Sequence, residues 1–160
     1  MNINEELVLA LIKSNLSISI IESFTGGLAS SKIVDIPNAS KVFKGSIVSY
    51  QEEIKESVLH ISKELIDKYS VDSKECALEM ARSGKNIFKS DIALSFTGEA
   101  GPISYKEDVL PGTIYIGLIF LDKEETFKEI LNGLSRNEVR EKAIEIAFRK
   151  ILEKILKLER

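Results

Sequence analysis

The sequence predicts one α/β domain, built on a mixed sheet with helices on both of its faces. Apolar runs of strand length alternate along the chain with segments whose apolar residues recur at helical spacing. Glycine-rich turns follow two of the strand-sized runs. No internal repeat or linker interrupts the 160 residues, a length that suits a single hydrophobic core.

Helix and strand patterns alternate over the first fifty residues. Apolar positions among polar ones predict a short helix over residues 3–14, and a β-branched run predicts the first strand at residues 18–22. Small residues at helical spacing predict a helix over residues 27–34. It ends ahead of Pro37, because proline disfavours helical backbone in the residue before it. The stretch at residues 42–50 predicts the second strand.

Helical patterns dominate the next segment of the chain. An acidic helix is predicted over residues 51–59, a short one begins after Ser62, and a longer one covers residues 74–88. The third strand, at residues 90–96, then runs into the second glycine-rich turn at residues 97–102. The chain is therefore expected to return to the sheet after three consecutive helices.

The last third of the chain predicts a strand pair and a long helix. Residues 113–121 are almost wholly apolar, which is typical of a central strand. Residues 126–131 alternate enough to pair with it across a hairpin turn at residues 122–125. The final helix, at residues 135–158, opens with the capping-box pattern of a serine followed three residues later by a glutamate.

Composition narrows the classes of function. The net charge of −3 and the pI near 5.4 argue against general nucleic-acid binding, which needs a basic surface. No apolar run is long enough to cross a membrane, and the acidic N-terminus lacks a signal-peptide pattern. The chain has one cysteine, Cys76, and one histidine, His60, which excludes an internal disulfide and argues against a Cys/His zinc site. We expect a cytoplasmic protein without a nucleic-acid or membrane partner, and the sequence leaves homo-oligomerisation open.

The turn after the first strand carries the strongest chemical signal. Two hydroxyl residues, Ser23 and Thr25, precede the pair Gly26 and Gly27, so hydroxyls and free backbone N–H groups meet at the end of a sheet. In one interpretation Ser23 is a nucleophile, and the N–H groups of residues 26–28 stabilise a negative oxygen. In the other, Ser23 and Thr25 only cap a helix.

A serine nucleophile needs a base, and Lys55 is the candidate of most interest. It lies about one helical turn into the helix after the second strand, and it serves as a base only where burial or a nearby positive charge lowers its pKa. Serine–lysine pairs are a known variant of the hydroxyl–base arrangement. Taken alone, its acidic surroundings are more typical of a solvated helix lysine. Glu22 adjoins Ser23 but points to the opposite face of the strand, and His60 lies between two helical patterns.

The turn at residues 97–102 also follows a strand. Two such turns on neighbouring parallel strands lie at the same carboxyl edge of a sheet, where ligands bind in open α/β folds. Neither turn matches a dinucleotide or triphosphate pattern. Arg136 and Arg140 open the last helix, where the dipole does not favour cations. One interpretation gives a ligand phosphate to one of them, and the other gives a surface ion pair with Glu138 or Glu141.

Six segments, in conserved order along the chain, resemble motifs of the CinA C-terminal domain family. They are ESFTGG at residues 22–27 (E-S-C-T-G-G in the family), DIPNAS at 35–40 (D-x-P-G-S/A-S), VSYQEEIK at 48–55 (V-x-Y-S-N-E-A-K), TGEAGP at 97–102 (S/T-G-I-A-G-P), PGTIYIG at 111–117 (P-V-G-T-V-Y/W-I-G) and residues 133–140 (G-D/N-R-x-x-V/I-R with one inserted residue). The stand-alone members of this family are nicotinamide mononucleotide amidohydrolases. The ordered set is specific, although no single motif decides the assignment.

The resemblance implies a three-layer α/β/α sandwich with a mixed sheet, formed by residues 1–160 as one domain. It also implies hydrolysis of the carboxamide of nicotinamide mononucleotide to nicotinic acid mononucleotide and ammonia, without a metal or a cofactor. The expected partner is therefore a small-molecule nucleotide substrate. Carried onto this sequence, Ser23 is the nucleophile, Lys55 is its general base, and Tyr50 lies between them.

The same resemblance implies which residues bind the substrate. The oxyanion and phosphate region is expected to be lined by Thr25, Gly26, Gly27, Thr97 and Gly98. Arg136 and Arg140 occupy the family's arginine positions, and one of them is expected to meet the phosphate or to support the lysine.

The chain departs from the family motifs close to these residues. Phe24 replaces a cysteine, Gln51 and Glu52 replace a serine–asparagine pair, and Glu99 replaces an apolar residue. A carboxylate near Lys55 favours the charged lysine and so opposes its role as a base. The alternative function is therefore a non-catalytic CinA-like domain that binds a ligand or a partner.

Overall fold

In the computed structural model, residues 1–159 are described and form five β-strands and six α-helices. The strands are β1 (Ile18–Glu22), β2 (Phe43–Val48), β3 (Ile92–Gly98), β4 (Thr113–Phe120) and β5 (Lys123–Ile130). The helices are α1 (Ile3–Ser14), α2 (Leu28–Val34), α3 (Glu52–Ser57), α4 (Lys63–Tyr69), α5 (Lys74–Phe88) and α6 (Arg136–Leu158). The alternation of strands and helices confirms the predicted α/β class.

The five strands form one mixed sheet in the order β2-β1-β3-β4-β5. Strand β1 is parallel to both of its neighbours, whereas β3, β4 and β5 pair in antiparallel fashion. Glu22, the last residue of β1, lies in register with Val48 of β2 and Phe96 of β3. The carboxyl ends of these three strands therefore meet at one edge, which is where open α/β folds bind ligands.

Helices cover both faces of the sheet and make three layers. Ile18 and Ile20 of β1 pack in the main core together with apolar residues of α1, α2 and α6. Ile21 points to the opposite face, because successive strand residues alternate, and packs with Ile66 of α4 and Met80 of α5. All residues of β1 are buried, as a strand covered on both sides requires. The predicted three-layer arrangement is confirmed.

The hairpin between β4 and β5 is tighter than the sequence predicts. Phe120 pairs with Lys123, so the turn consists of Leu121 and Asp122, and Leu121 adopts a positive φ of 59°. The predicted turn at residues 122–125 is therefore wrong. Strand β5 lies at the edge of the sheet and its first residues are charged and exposed, so locally they resemble a turn.

Strand β3 runs two residues further than predicted, and β2 ends two residues earlier. Thr97 pairs with Tyr115 and Gly98 with Ile114, so both residues belong to the sheet and not to the turn after it. Gly98 has a φ of +144°, and a Cβ atom there would lie 2.6 Å from the Cα atom of Ile114. Glycine is therefore the residue that this close approach of two backbones accepts.

Helix α6 closes the fold and carries the predicted capping box. The Ser135 hydroxyl accepts a hydrogen bond from the Glu138 N–H at 3.2 Å, and the Glu138 carboxylate accepts one from the Ser135 N–H at 3.0 Å. This reciprocal pair satisfies two N–H groups at the start of a 23-residue helix. Neither α6 nor any other helix of residues 1–159 has the apolar length that a membrane crossing requires.

Candidate active site

Ser23 lies at the carboxyl edge of the sheet, directly after β1. Its N–H donates to the Phe96 carbonyl of β3 at 3.1 Å, so the pairing of the two strands extends to the serine itself. Only 7% of the residue is exposed. The sheet therefore fixes the backbone of Ser23, and the hydroxyl has a defined direction.

Lys55 reaches the Ser23 hydroxyl from α3. Its Nζ atom lies 2.9 Å from Ser23 Oγ, 2.6 Å from the Ser49 carbonyl oxygen and 3.3 Å from that of Tyr50. The residue is 2% exposed, because α3 begins close to the end of β2 and directs this side chain over the edge of the sheet. Its burial overturns the interpretation of Lys55 as a solvated helix lysine.

The two backbone carbonyls orient the amine of Lys55. A neutral amine has two N–H bonds and one lone pair, and an ammonium group has three N–H bonds. When the neutral form donates to Ser49 and Tyr50, its lone pair faces the Ser23 hydroxyl and accepts the hydrogen bond between them. The charged form instead donates to all three oxygens. The same contacts therefore serve both protonation states of Lys55.

Burial lowers the pKa of Lys55, because an ammonium group loses most of its hydration at this position. Asp72 and Glu52 act in the opposite direction through their negative charge. Cys76 is also close, but burial raises the pKa of its thiol to about 12. The thiol is therefore uncharged near neutral pH and does not stabilise the ammonium form of Lys55. The pKa of Lys55 lies below its usual 10.5, in the direction that a general base requires.

The serine and the lysine open into a cavity of about 200 Å³. Five of the predicted site residues line it, namely Ser23, Tyr50, Lys55, Gly98 and Arg136. The rest of the wall comes from Phe24, from Glu52 of α3, from the segment before α5 and from the segment after β3. The five predicted residues come from four separate segments of the chain, since Tyr50 and Lys55 both belong to residues 48–55. The other predicted residues do not line the cavity, and they are Thr25, Gly26, Gly27, Thr97 and Arg140.

The resemblance implies that Tyr50 lies between the serine and the lysine. The structure differs, because those two side chains are in direct contact. The carbonyl oxygen of Tyr50 contacts Lys55, whereas its hydroxyl accepts a hydrogen bond from Arg136 Nη2 at 3.1 Å. Arg136 Nη1 donates to the Gly101 carbonyl at 2.7 Å. Tyr50 and Arg136 thus connect the two sides of the cavity mouth.

The backbone N–H groups of the Ser23 turn are already engaged. Gly26 N–H donates to the Ser23 carbonyl at 3.0 Å, and Leu28 N–H donates to the Thr25 carbonyl at 3.0 Å. Gly27 N–H donates to the Glu22 carboxylate at 3.1 Å. This corrects the expectation that these groups face a negative oxygen beside Ser23. The physical reason is that the turn satisfies its own donors before α2 begins.

Arg140 supports the Ser23 turn and does not face the cavity. Its Nε atom donates to the Phe24 carbonyl at 3.1 Å, and its Nη2 atom donates to the Thr25 carbonyl at 2.8 Å. Both carbonyls belong to the turn that follows the serine. Among the two arginines, Arg136 is therefore the one placed at the cavity, and Arg140 holds the turn from the outside.

Sequence reasoning missed Asp72 as a residue of the cavity wall. The Thr97 hydroxyl donates to the Val71 carbonyl at 3.0 Å and approaches Asp72 Oδ1 at 3.3 Å, so Thr97 fixes this segment from behind. Burial raises the pKa of the Asp72 carboxyl. No local pattern marks Asp72, since it precedes the N-cap residue Ser73 like many acidic residues before helices.

A larger and more open cavity, about 500 Å³, lies at the opposite edge of the sheet. Its three cationic side chains already have protein partners, because Lys85 Nζ donates to the carbonyls of Asp91 and Leu121, Arg82 pairs with Glu124, and Lys89 Nζ donates to Asn86 Oδ1. Within residues 1–159, no group of three or more His, Cys, Asp or Glu side chains is placed to hold a metal ion. The candidate site is therefore the smaller cavity with the serine and the lysine.

Comparison with known proteins gives a family for this fold and site. The model of the CinA C-terminal domain matches residues 1–155, almost the whole chain. The chain belongs to the CinA C-terminal domain family. The family that the six sequence motifs predict is thereby confirmed.

Curated relatives of this CinA domain are longer proteins. A Halalkalibacterium halodurans protein, named as competence-damage inducible, is 40% identical over 152 residues, which are 94% of this chain and 36% of that protein. A CinA-like protein of Dictyoglomus thermophilum is 43% identical over 137 residues, covering 85% of this chain and 33% of its own length. The chain spans about a third of the length of these relatives.

Solved structures share the CinA fold over nearly their whole length. The crystal structure of a CinA superfamily protein from Klebsiella pneumoniae superposes with a TM-score of 0.92 and 24% identity, covering 97% of this chain and 96% of that one. At this identity the likeness shows the fold alone. The CinA fold therefore supplies the sheet edge, and the residues placed there determine what chemistry the edge supports.

Proposed function

We propose that this CinA domain is an amidohydrolase that converts the carboxamide of nicotinamide mononucleotide to a carboxylate and releases ammonia. The observation that carries the proposal is the 2.9 Å contact between Lys55 Nζ and Ser23 Oγ, with both residues buried at the edge of a cavity. A hydroxyl in contact with a lysine of lowered pKa is the arrangement of an activated serine nucleophile.

The reaction proceeds in two steps through Ser23. Neutral Lys55 takes the hydroxyl proton as Oγ attacks the amide carbon, and the resulting ammonium group then gives a proton to the departing nitrogen. Ammonia leaves, and an ester joins the substrate's acyl group to Oγ. Lys55, neutral again, removes a proton from water as the water oxygen attacks the ester. The ammonium group then returns that proton to Oγ as the ester bond breaks, which restores the Ser23 hydroxyl, and the acid product leaves as its carboxylate with release of a proton to solvent. The carbonyls of Ser49 and Tyr50 hold Nζ through both steps.

The cavity supports a substrate with a small amide head and a larger anionic tail. Its volume of about 200 Å³ is below the usual range for a site that encloses a whole drug-sized ligand. A flat ring that carries the amide fits beside Ser23, and the remainder lies toward the mouth. Arg136 is exposed there and offers a guanidinium group for a phosphate.

The test is ammonia release from nicotinamide mononucleotide by the wild-type protein and by Ser23→Ala. Removal of the nucleophile is expected to lower kcat by about a thousandfold or more, because the covalent step is lost. Ser57→Ala, an exposed serine at the end of α3, serves as the matched control and is expected to keep wild-type turnover. Turnover by Ser23→Ala equal to that of the control contradicts the proposed mechanism.

A binding domain without catalysis is the second candidate. Glu52 and Asp72 favour the charged form of Lys55, and a protonated lysine binds anions but does not activate Ser23. The ammonia assay on the wild-type protein separates the candidates. Turnover eliminates the binding domain, and binding of the nucleotide without ammonia release supports it.

A further inference from the structure

The wall of the candidate cavity carries more acidic than basic groups. Glu52, Asp72 and Glu99 line it, together with Lys55 and Arg136. In the reactive state Lys55 is neutral, which leaves three carboxyl groups against one guanidinium. Arg136 is moreover engaged with the Gly101 carbonyl and the Tyr50 hydroxyl at the mouth. The interior beside Ser23 is thus a region of negative charge.

Asp72 is more enclosed than Glu52. Glu52 is exposed on α3, whereas Asp72 is half-buried at the start of the α5 segment. Among residues 1–159, the one side-chain donor close to its carboxylate is the Thr97 hydroxyl at 3.3 Å, and that hydroxyl shares its single hydrogen with the nearer Val71 carbonyl at 3.0 Å. Lys106 lies close enough to lower the pKa of Asp72, but its Nζ donates to Ser70 Oγ and it does not line the cavity. Lys55, inside the cavity, also lowers the pKa of Asp72 when it is charged, but among residues 1–159 Asp72 forms no ion pair, and in the reactive state Lys55 is neutral.

Glu99 adds a second carboxyl group to the same wall, from the segment that follows β3. It follows Gly98 directly after β3, and the Ser104 hydroxyl donates to its Oε2 atom at 2.5 Å. Its charge raises the pKa of Asp72, so the two carboxyl groups act on one volume. Two partly buried like charges are stabilised when a cation occupies the space between them.

We propose that Asp72, supported by Glu99, makes this cavity selective for carboxamides attached to a positively charged ring. The substrate class is that of N-substituted pyridinium carboxamides, in preference to neutral aromatic amides of the same shape. The link to catalysis rests on the proposed amidohydrolase function, whereas the preference for the charged ring is a property of binding. Asp72 is in this view a specificity-determining residue, and Ser23 and Lys55 remain the reacting groups.

A cavity that binds a cationic ring must also keep Lys55 uncharged, and the placement of the carboxyl groups allows both. A cationic ring close to Lys55 favours the neutral amine, since two positive charges repel. A carboxylate on the wall attracts the ring and offsets the unfavourable transfer of its charge out of water. Selectivity for the cation and activation of the lysine are therefore compatible in one cavity.

The experiment measures binding to the Ser23→Ala protein, in which turnover does not interfere. The probes are 1-methylnicotinamide, which is cationic, and nicotinamide, which is neutral and differs by one methyl group. Calorimetry on the full chain is expected to show 1-methylnicotinamide bound at least about tenfold more tightly. Asp72→Asn in the same background is expected to reduce that preference to about threefold or less.

Two further variants make the outcome decisive. Glu99→Gln is expected to reduce the preference in the same direction, and it covers the case in which Asp72→Asn fails to fold. Glu53→Gln removes an exposed carboxylate of α3 that does not line the cavity, and it is expected to leave the preference unchanged. Circular dichroism and thermal unfolding check each variant.

The outcomes for binding and for catalysis are distinguishable. Equal affinity for the two probes, or a preference that both Asp72→Asn and Glu99→Gln leave intact, overturns the inference even if the wild-type protein releases ammonia. A lost preference in these variants supports it even if the ammonia assay fails.

Discussion

Two ionisable side chains are buried at the same edge of the sheet and are held in opposite ways. Glu22 is 0% exposed, and its carboxylate accepts hydrogen bonds from the N–H groups of Gly27, Ala29 and Ser30 and from the Ser30 hydroxyl. Lys55 is 2% exposed and contacts only neutral oxygens. The carboxylate stabilises the start of α2, whereas burial of the lysine favours its uncharged form.

The largest expected effect concerns the activity that depends on Lys55. Lys55→Met keeps the apolar length of the side chain but removes the base, so ammonia release is expected to fall by about a thousandfold or more. Lys63→Met, at the exposed start of α4, is the matched control and is expected to retain wild-type turnover. Equal activity of the two variants would contradict the role of Lys55 as the general base.

The next effect concerns the stability that depends on Glu22. Glu22→Gln replaces one acceptor oxygen by an NH₂ group that cannot accept the hydrogen bonds of Ser30, and it removes the charge beside the N-terminus of α2. We expect the free energy of unfolding to fall by about 2–3 kcal/mol in urea titrations. Glu6→Gln on the exposed face of α1 is expected to change it by less than about 0.5 kcal/mol. A similar small change for Glu22→Gln would show that the four hydrogen bonds contribute little.

The smallest effect has the opposite sign and again concerns Lys55. Because burial opposes its charge, Lys55→Met is expected to raise the free energy of unfolding by about 1 kcal/mol at pH 7. Between its lowered folded pKa and 10.5, the unfolded chain binds more protons than the folded one, so the stability of the wild-type protein rises with pH in that window. The variant lacks this contribution. The difference in the free energy of unfolding between Lys55→Met and the wild-type protein is therefore expected to narrow as the pH approaches 10.5.

Urea titrations of both proteins from pH 7 to 10 measure that gap. A Lys55→Met variant that is less stable at pH 7, or a gap that does not change with pH, contradicts the opposition between burial and charge. Together with Glu22→Gln, the series compares a buried charge that hydrogen bonds at a helix start stabilise with a buried charge that burial disfavours.

The elements of the fold could be predicted because their signals are local. The periodicity of apolar residues located each helix and strand, and errors occurred at ends that packing decides. Strand β5 begins at Lys123 because it pairs with Phe120, and β3 continues to Gly98 because β4 lies beside it. Neither partner is visible from the residues of the strand itself.

The candidate site was less predictable, because its contacts join distant parts of the chain. Ser23 stood out through its turn, but Lys55 resembles a solvated residue until α3 is placed against the end of β1. Arg140 lies 115 positions from the Thr25 carbonyl that it contacts, and Asp72 carries no local mark at all. For Lys55 and Arg136 the family motifs supplied what local patterns could not. They left open which of the two arginines serves the site, and they gave Tyr50 a position between the serine and the lysine that the structure does not show.

The contact of Arg140 with the carbonyls of Phe24 and Thr25 has a consequence for biosynthesis. The ribosome adds Arg140, which holds the turn after Ser23, more than a hundred residues after the serine, since Arg140 and Phe24 are 116 positions apart. A nascent chain therefore carries Ser23 on a turn that this arginine does not yet hold, and the geometry of the candidate site is complete only when α6 docks. Formation of the site thus depends on synthesis of α6.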